Sequence, residues 1–74
     1  MSKLPVLSSL KVIKALAKLG YEIDHKTGSH VILRQKQSPF RRVTVPSYKE
    51  VARGTLRAII RETGLTVEEF TGLL

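Results

Sequence analysis

Residues 21–46 read YEIDHKTGSHVILRQKQSPFRRVTVP, and the architecture turns on this run. Tyr21 to His25 alternates apolar and acidic residues, the period of a strand. The same alternation sets His25 on a face with Tyr21 and Ile23, and Glu22 with Asp24 on a solvated one. Lys26-Thr27-Gly28 supplies a turn, with a glycine for positive φ. Ser29 to Gln35 reads as the next strand, rich in β-branched residues. It places Val31 and Leu33 on one face and His30, Ile32 and Arg34 on the other. Gln37-Ser38-Pro39 breaks it. Arg41 to Val45 predicts a third strand, which Pro46 stops. Three strands joined by two short loops imply an antiparallel sheet.

Helices flank this sheet on both sides in sequence. Ser8 or Ser9 can cap a first helix, and Gly20 stands where a left-handed glycine closes one. Between them Leu10, Val12, Ile13, Leu16, Ala17 and Leu19 form a broad apolar arc, opposite Lys11, Lys14 and Lys18. Leu4-Pro5-Val6 reads as an extended lead-in. Beyond the strands, Ser47 to Arg53 reads as a loop or a single helical turn, with Ser47 and Glu50 at capping-box spacing. Gly54 gives a sharp approach and Thr55 is the expected N-cap of a second helix. Its buried stripe is Leu56, Ile59 and Ile60, with Arg57 and Arg61 outward at i, i+4. Gly64 ends it and Leu65 closes over the end. Thr66-Val67-Glu68-Glu69 is a capping box that starts a short last helix carrying Phe70, Leu73 and Leu74. The expected fold is α+β, α-β-β-β-α. It has a three-stranded antiparallel sheet with helices packed on one face and a short C-terminal helix.

Seventy-four residues are expected to make one small domain, 1–74, with a thin core and no deep cavity. That argues against a large-cofactor enzyme and leaves room for a shallow site acting on a polymer. The formal net charge is +7, and it is unevenly spread. All thirteen Lys and Arg lie at or before Arg61, against the acids Glu22, Asp24 and Glu50. After Arg61 come only Glu62, Glu68 and Glu69 among charged residues. Such a surplus favours a polyanionic partner, most simply nucleic acid. The absence of cysteine excludes disulfides, thiolate chemistry and cysteine-based zinc sites. No segment reaches the ~20 apolar residues of a membrane span, and the first ten residues do not form a secretory signal. We therefore expect a cytoplasmic protein with no membrane partner.

Gly28-Ser29-His30, at the junction of turn and strand, is the feature most worth a chemical reading. Imidazole is the side chain whose ordinary pKa lets it give or take a proton near neutral pH. His30 beside a basic surface suits RNA cleavage, whereas read alone it is an ordinary strand residue.

Several blocks, in order, resemble the HicA toxin family, small messenger-RNA-cleaving toxins of prokaryotic toxin–antitoxin pairs. Leu16-Ala17-Lys18-Leu19-Gly20-Tyr21 resembles the family's helix end, glycine and aromatic. Gly28-Ser29-His30 is its hallmark. Arg42-Val43-Thr44-Val45-Pro46 resembles its third strand and Gly54-Thr55-Leu56-Arg57-Ala58-Ile59 its second helix. Tyr48 departs, standing where many relatives carry a polar or basic residue. The resemblance implies a double-stranded-RNA-binding-domain-like fold and ribonuclease activity with His30 essential. It further implies messenger RNA as substrate and neutralisation by a HicB-type antitoxin.

RNA carries its own nucleophile, the 2′-hydroxyl. A cleaving enzyme need only take that proton, or protonate the leaving 5′-oxygen, and steady the charge on phosphate. One histidine can supply one of those transfers, worth about 10²–10⁴-fold. Arg34 shares the His30 face by alternation. Arg41 and Arg42 point to opposite faces, so at most one joins the site, and Arg42 is favoured. Lys26, Gly28 and Ser29 complete the expected RNA-binding set, Gly28 through close backbone approach and Ser29 as a donor to phosphate. Tyr21, Tyr48 and His25 are the candidates for a second proton-transfer group, but packing at a strand end accounts for His25 more cheaply. No cofactor or metal is expected, because the carboxylates do not cluster as two-metal chemistry requires. The alternative is a non-catalytic RNA-binding module reading A-form shape. A third reading is a protein–protein adaptor using Phe70, Leu73 and Leu74.

Overall fold

A computed structural model describes residues 4–47 and 49–74. The chain runs α1 (Ser9–Ala17), β1 (Tyr21–Lys26), β2 (His30–Gln35), β3 (Arg42–Pro46), α2 (Arg53–Thr63) and α3 (Val67–Thr71). The three strands form one antiparallel sheet in the order β1-β2-β3. This is the expected α-β-β-β-α order. Val31, Leu33, Val43 and Val45 are buried on one sheet face, under the helices. On the other face Arg42 and Thr44 are exposed and His30, Ile32 and Arg34 are half-buried. Burying one face and leaving the other open is the two-layer solution for a chain this short.

α1 starts where Ser8 Oγ accepts the Lys11 N–H at 3.3 Å. Its buried stripe is Val12, Ala15 and Leu16, with Ile13 and Leu19 packed alongside. Leu10 is 59% exposed and Ala17 is exposed as well, which narrows the expected arc. At ~100° per residue both sit about 140–160° round from Val12, beyond reach of the sheet. Gly20 has φ +90, the left-handed conformation that glycine adopts without a Cβ clash.

The second helix starts earlier than Thr55. Ala52 is extended at its head and no side chain caps it. The Leu56 N–H donates to the Ala52 carbonyl at 2.8 Å, so Gly54 and Thr55 lie inside the first turn. Tertiary contacts set this start. Val51 bridges Leu7, its N–H donating to the Leu7 carbonyl at 2.7 Å. Arg53 Nε donates to the Leu4 carbonyl at 2.9 Å. The extended lead-in is thus stitched to the segment before α2, and Leu4, Leu7 and Val51 all enter the core. Lys49 and Glu50 form a bend rather than a helical turn, and Tyr48 lies outside the described residues. Gly64 ends α2 with φ +79, as expected, and Leu65 packs against the core beyond it.

α3 carries the full capping box. Thr66 Oγ1 accepts the Glu69 N–H at 3.1 Å, and Glu69 Oε1 accepts the Thr66 N–H at 2.9 Å. Phe70 is fully buried, and Lys18 Nζ donates to the Leu73 carbonyl at 2.6 Å, tying α1 to the C-terminal segment. No helix among the described residues is long and apolar enough to cross a membrane.

Candidate active site

The open sheet face follows from register. His30 pairs with Pro46, Ile32 with Thr44 and Arg34 with Arg42 across β2 and β3. Directly opposed residues share a face. Arg34 and Arg42 therefore stand side by side on the His30 face. Arg41 is absent from β3 and turns the other way, Nη1 donating to the Glu62 carbonyl at 3.3 Å, at the C-terminal end of α2.

β1 departs from simple alternation. Glu22 pairs with Arg34 and Ile23 with Leu33, but the next pair is His25 with Ile32. Asp24 is thus the extra residue of a β-bulge, and parity reverses beyond it. The expectation that His25 shares a face with Tyr21 and Ile23 is corrected here. His25 lies on the open face with His30. Tyr21 is buried in the core, and burial pushes its hydroxyl pKa up, so it belongs to the packing and not to this face. Lys26 pairs with Val31, whose side chain is buried. By register Lys26 belongs to the helix-side face, exposed at the strand end, apart from His30.

Both imidazoles are held by their Nδ1 atoms. Ser29 Oγ lies 3.0 Å from His30 Nδ1. His25 Nδ1 lies 2.9 Å from Asp24 Oδ2. The His25 hydrogen bond, followed by the guanidinium charges of Arg34 and Arg42, outweighs desolvation and holds the Asp24 pKa below its ordinary value. An ionised carboxylate only accepts, so His25 Nδ1 carries the proton. Among the described residues no carboxylate lies within ion-pair distance of Arg34 or Arg42. Like charges directly opposed on a sheet are destabilising, and an anion seated between them relieves that cost.

The Thr27 N–H donates to the His30 carbonyl at 2.9 Å, closing the hairpin over Gly28 and Ser29. Gly28 does not adopt positive φ, contrary to expectation; Gly20 and Gly64 are the glycines that do. A Cβ on Gly28 would meet nothing within 4 Å. Gly28→Ala should therefore change folding stability by less than about 1 kcal/mol, as urea denaturation would show. If the same variant loses RNA cleavage, the space above Gly28 belongs to the ligand. Wild-type cleavage would show that no close approach occurs there.

Asp24 was missing from the expected site, and so was the placing of His25. Both depend on a bulge that YEIDH, which fits a regular strand, does not announce. A cavity lined by Leu7, Lys11, Lys14, Ala15, Lys18 and the C-terminal leucines sits between α1 and the C-terminal segment, away from this face.

A sheet covered by helices on one face, with imidazole and guanidinium groups on the other, defines the class: a small α+β fold with the double-stranded-RNA-binding-domain order of elements. A family model described as HicA toxin of bacterial toxin-antitoxin matches residues 10–65, and the chain belongs to that family. The match spans α1 through the end of α2 and includes Gly28-Ser29-His30. The family is linked to messenger-RNA cleavage in toxin–antitoxin systems, its members typically paired with HicB antitoxins. Comparison with curated proteins returns no match.

Proposed function

We propose that this protein is the toxin of a type II toxin–antitoxin pair. In this reading it is a metal-independent endoribonuclease that cleaves messenger RNA and so inhibits translation. His30 acts as general acid or base, and a HicB-type antitoxin neutralises the protein by covering this face. The observation that carries the reading is the setting of His30. It heads the central strand on an open, arginine-bearing face, with Nδ1 engaged by Ser29 and Nε2 left for a substrate.

The RNA supplies the 2′-hydroxyl nucleophile, so the protein has protons to move and charge to stabilise. The Gly28 and Ser29 N–H groups donate to no group among the described residues and sit beside His30. They are the donors available to a non-bridging phosphate oxygen as charge builds there. Arg34 is four residues from His30, about 13 Å along the strand at ~3.3 Å per residue. Arg34 and Arg42 are therefore set for a neighbouring phosphate, holding the RNA in register, more than for the scissile one. Ser29 serves through His30: its hydroxyl fixes the ring.

Purified protein, freed of antitoxin and trace nuclease, is expected to cut messenger RNA in excess EDTA and leave 2′,3′-cyclic phosphate ends. Intact RNA under all conditions would overturn the ribonuclease reading and leave a binding module. Cleavage that disappears only with EDTA would reject the metal-independent part.

A further inference from the structure

We infer that His25, oriented by Asp24, supplies the second proton transfer of the cleavage reaction. The inference rests on the ribonuclease reading above and adds a catalytic residue to it.

The register carries it. His25 is directly opposite Ile32, two residues from His30 on the same face of the same strand. The two histidines are therefore diagonal neighbours across β1 and β2, with Cβ atoms roughly 7 Å apart. In-line displacement at phosphorus needs proton transfer at two apical oxygens on opposite sides of the atom. Two imidazoles a sheet diagonal apart can bracket a phosphodiester in this way, each Nε2 within about 2.8 Å of one oxygen. A single histidine cannot reach both sides at once.

The ring settings agree. Asp24 Oδ2 accepts from His25 Nδ1, which fixes the tautomer and presents Nε2 outward. The Ser29 hydroxyl, which can donate or accept, engages His30 Nδ1 at 3.0 Å and orients that ring without choosing its tautomer. His25 is well exposed, its side chain at 55%, so the pair with Asp24 contributes little to packing. The charged groups facing His25 are Glu22 and Asp24 on β1, His30 and Arg34 on β2, and Arg42 on β3. The helices lie on the other face. The bulge at Asp24 is what assembles the set: without the extra residue, His25 would point to the helix side.

The step balances without a further reactant. One imidazole accepts the 2′-hydroxyl proton as the O2′–P bond forms. The other donates a proton to the 5′-oxygen as the P–O5′ bond breaks. The products are a 2′,3′-cyclic phosphate and a 5′-hydroxyl, and the two rings regain their starting protonation through solvent. Asp24 touches no reacting atom and is a positioning residue.

The test uses the full-length protein and its His25→Ala, Asp24→Asn and His30→Ala variants on transcribed messenger RNA, with rates measured across pH. The wild type should give a bell-shaped profile, as two titrating groups require. His25→Ala should lose about 10²-fold or more in rate and one limb of the bell, with RNA affinity and thermal unfolding unchanged. Asp24→Asn should keep the bell, displace that limb and lose less rate. A purely structural Asp24 would leave the limb in place. If His30→Ala is dead while His25→Ala keeps wild-type rate and both limbs, the His25 inference fails and the ribonuclease reading stands. If His30→Ala and the wild type both leave RNA intact, the ribonuclease reading itself fails.

Discussion

His30→Ala is expected to abolish messenger-RNA cleavage and the growth arrest that accompanies it. Deleting a proton-transfer group costs about 10²–10⁴-fold in rate, and the ring has no nearby equivalent at its own position. The loss should be chemical rather than structural. His30 is half-buried, opposes Pro46 at the end of a ladder, and its side chain lies on the face away from the core. The variant should therefore fold with the wild-type melting profile and still bind RNA through Arg34 and Arg42. Induced expression of both proteins in a bacterial host, with growth and messenger-RNA integrity followed together, reads the outcome. Arrest and cleavage in the wild type alone make His30 the acting group. Equal cleavage by His30→Ala at the same soluble level would remove His30 from the mechanism. Arrest by His30→Ala without RNA cleavage would place toxicity in binding alone.

Phe70→Ala should be the most destabilising single change in the C-terminal region. Removing a fully buried phenyl ring costs about 3–5 kcal/mol, from lost transfer energy and the cavity left behind. At roughly 0.05–0.15 kcal/mol per residue, a chain of this length has about 4–11 kcal/mol in all. One residue thus accounts for a large share. α3 spans five residues, Val67–Thr71, far below the length at which a helix holds itself in water. Its capping box satisfies two N–H groups, but the burial of Phe70 is what docks it. Urea denaturation should show the midpoint falling sharply for Phe70→Ala and barely moving for Leu74→Ala, whose side chain is on a residue 52% exposed. A loss under about 1 kcal/mol for Phe70→Ala would mean that α3 contributes little to the fold.

Much of the architecture was legible because it is written in local chemistry. Val31 and Leu33 alternate with His30, Ile32 and Arg34, and this period alone separates a buried face from an open one. Gly20 and Gly64 fall where left-handed closure is needed, and Thr66 with Glu69 spells a cap within four residues. The start of α2 was not legible. Thr55 is a better cap by side-chain chemistry than Ala52. The bridge from Leu7 to Val51 and the Arg53 bond to the Leu4 carbonyl outweigh that preference with contacts over forty residues away in sequence. The same distance hid Leu4, Leu7 and Val51 from the expected core. The positive φ expected at Gly28 failed for a related reason: the glycine is compatible with several turns, and the flanking strands choose among them.

By itself, the sequence determined the element order, the buried face of β2, the family to which the chain belongs and the prominence of His30. These depend on periodicity, caps and short motifs, whose physics acts over a few residues. Tertiary structure alone decided which groups of the neighbouring strands join His30 and Arg34 on that face. It brought Arg34 against Arg42, sent Arg41 to the end of α2, and rotated His25 onto the open face beside Asp24. A bulge changes strand parity by one residue, and its position is set by pairing with β2 rather than by the residues of β1.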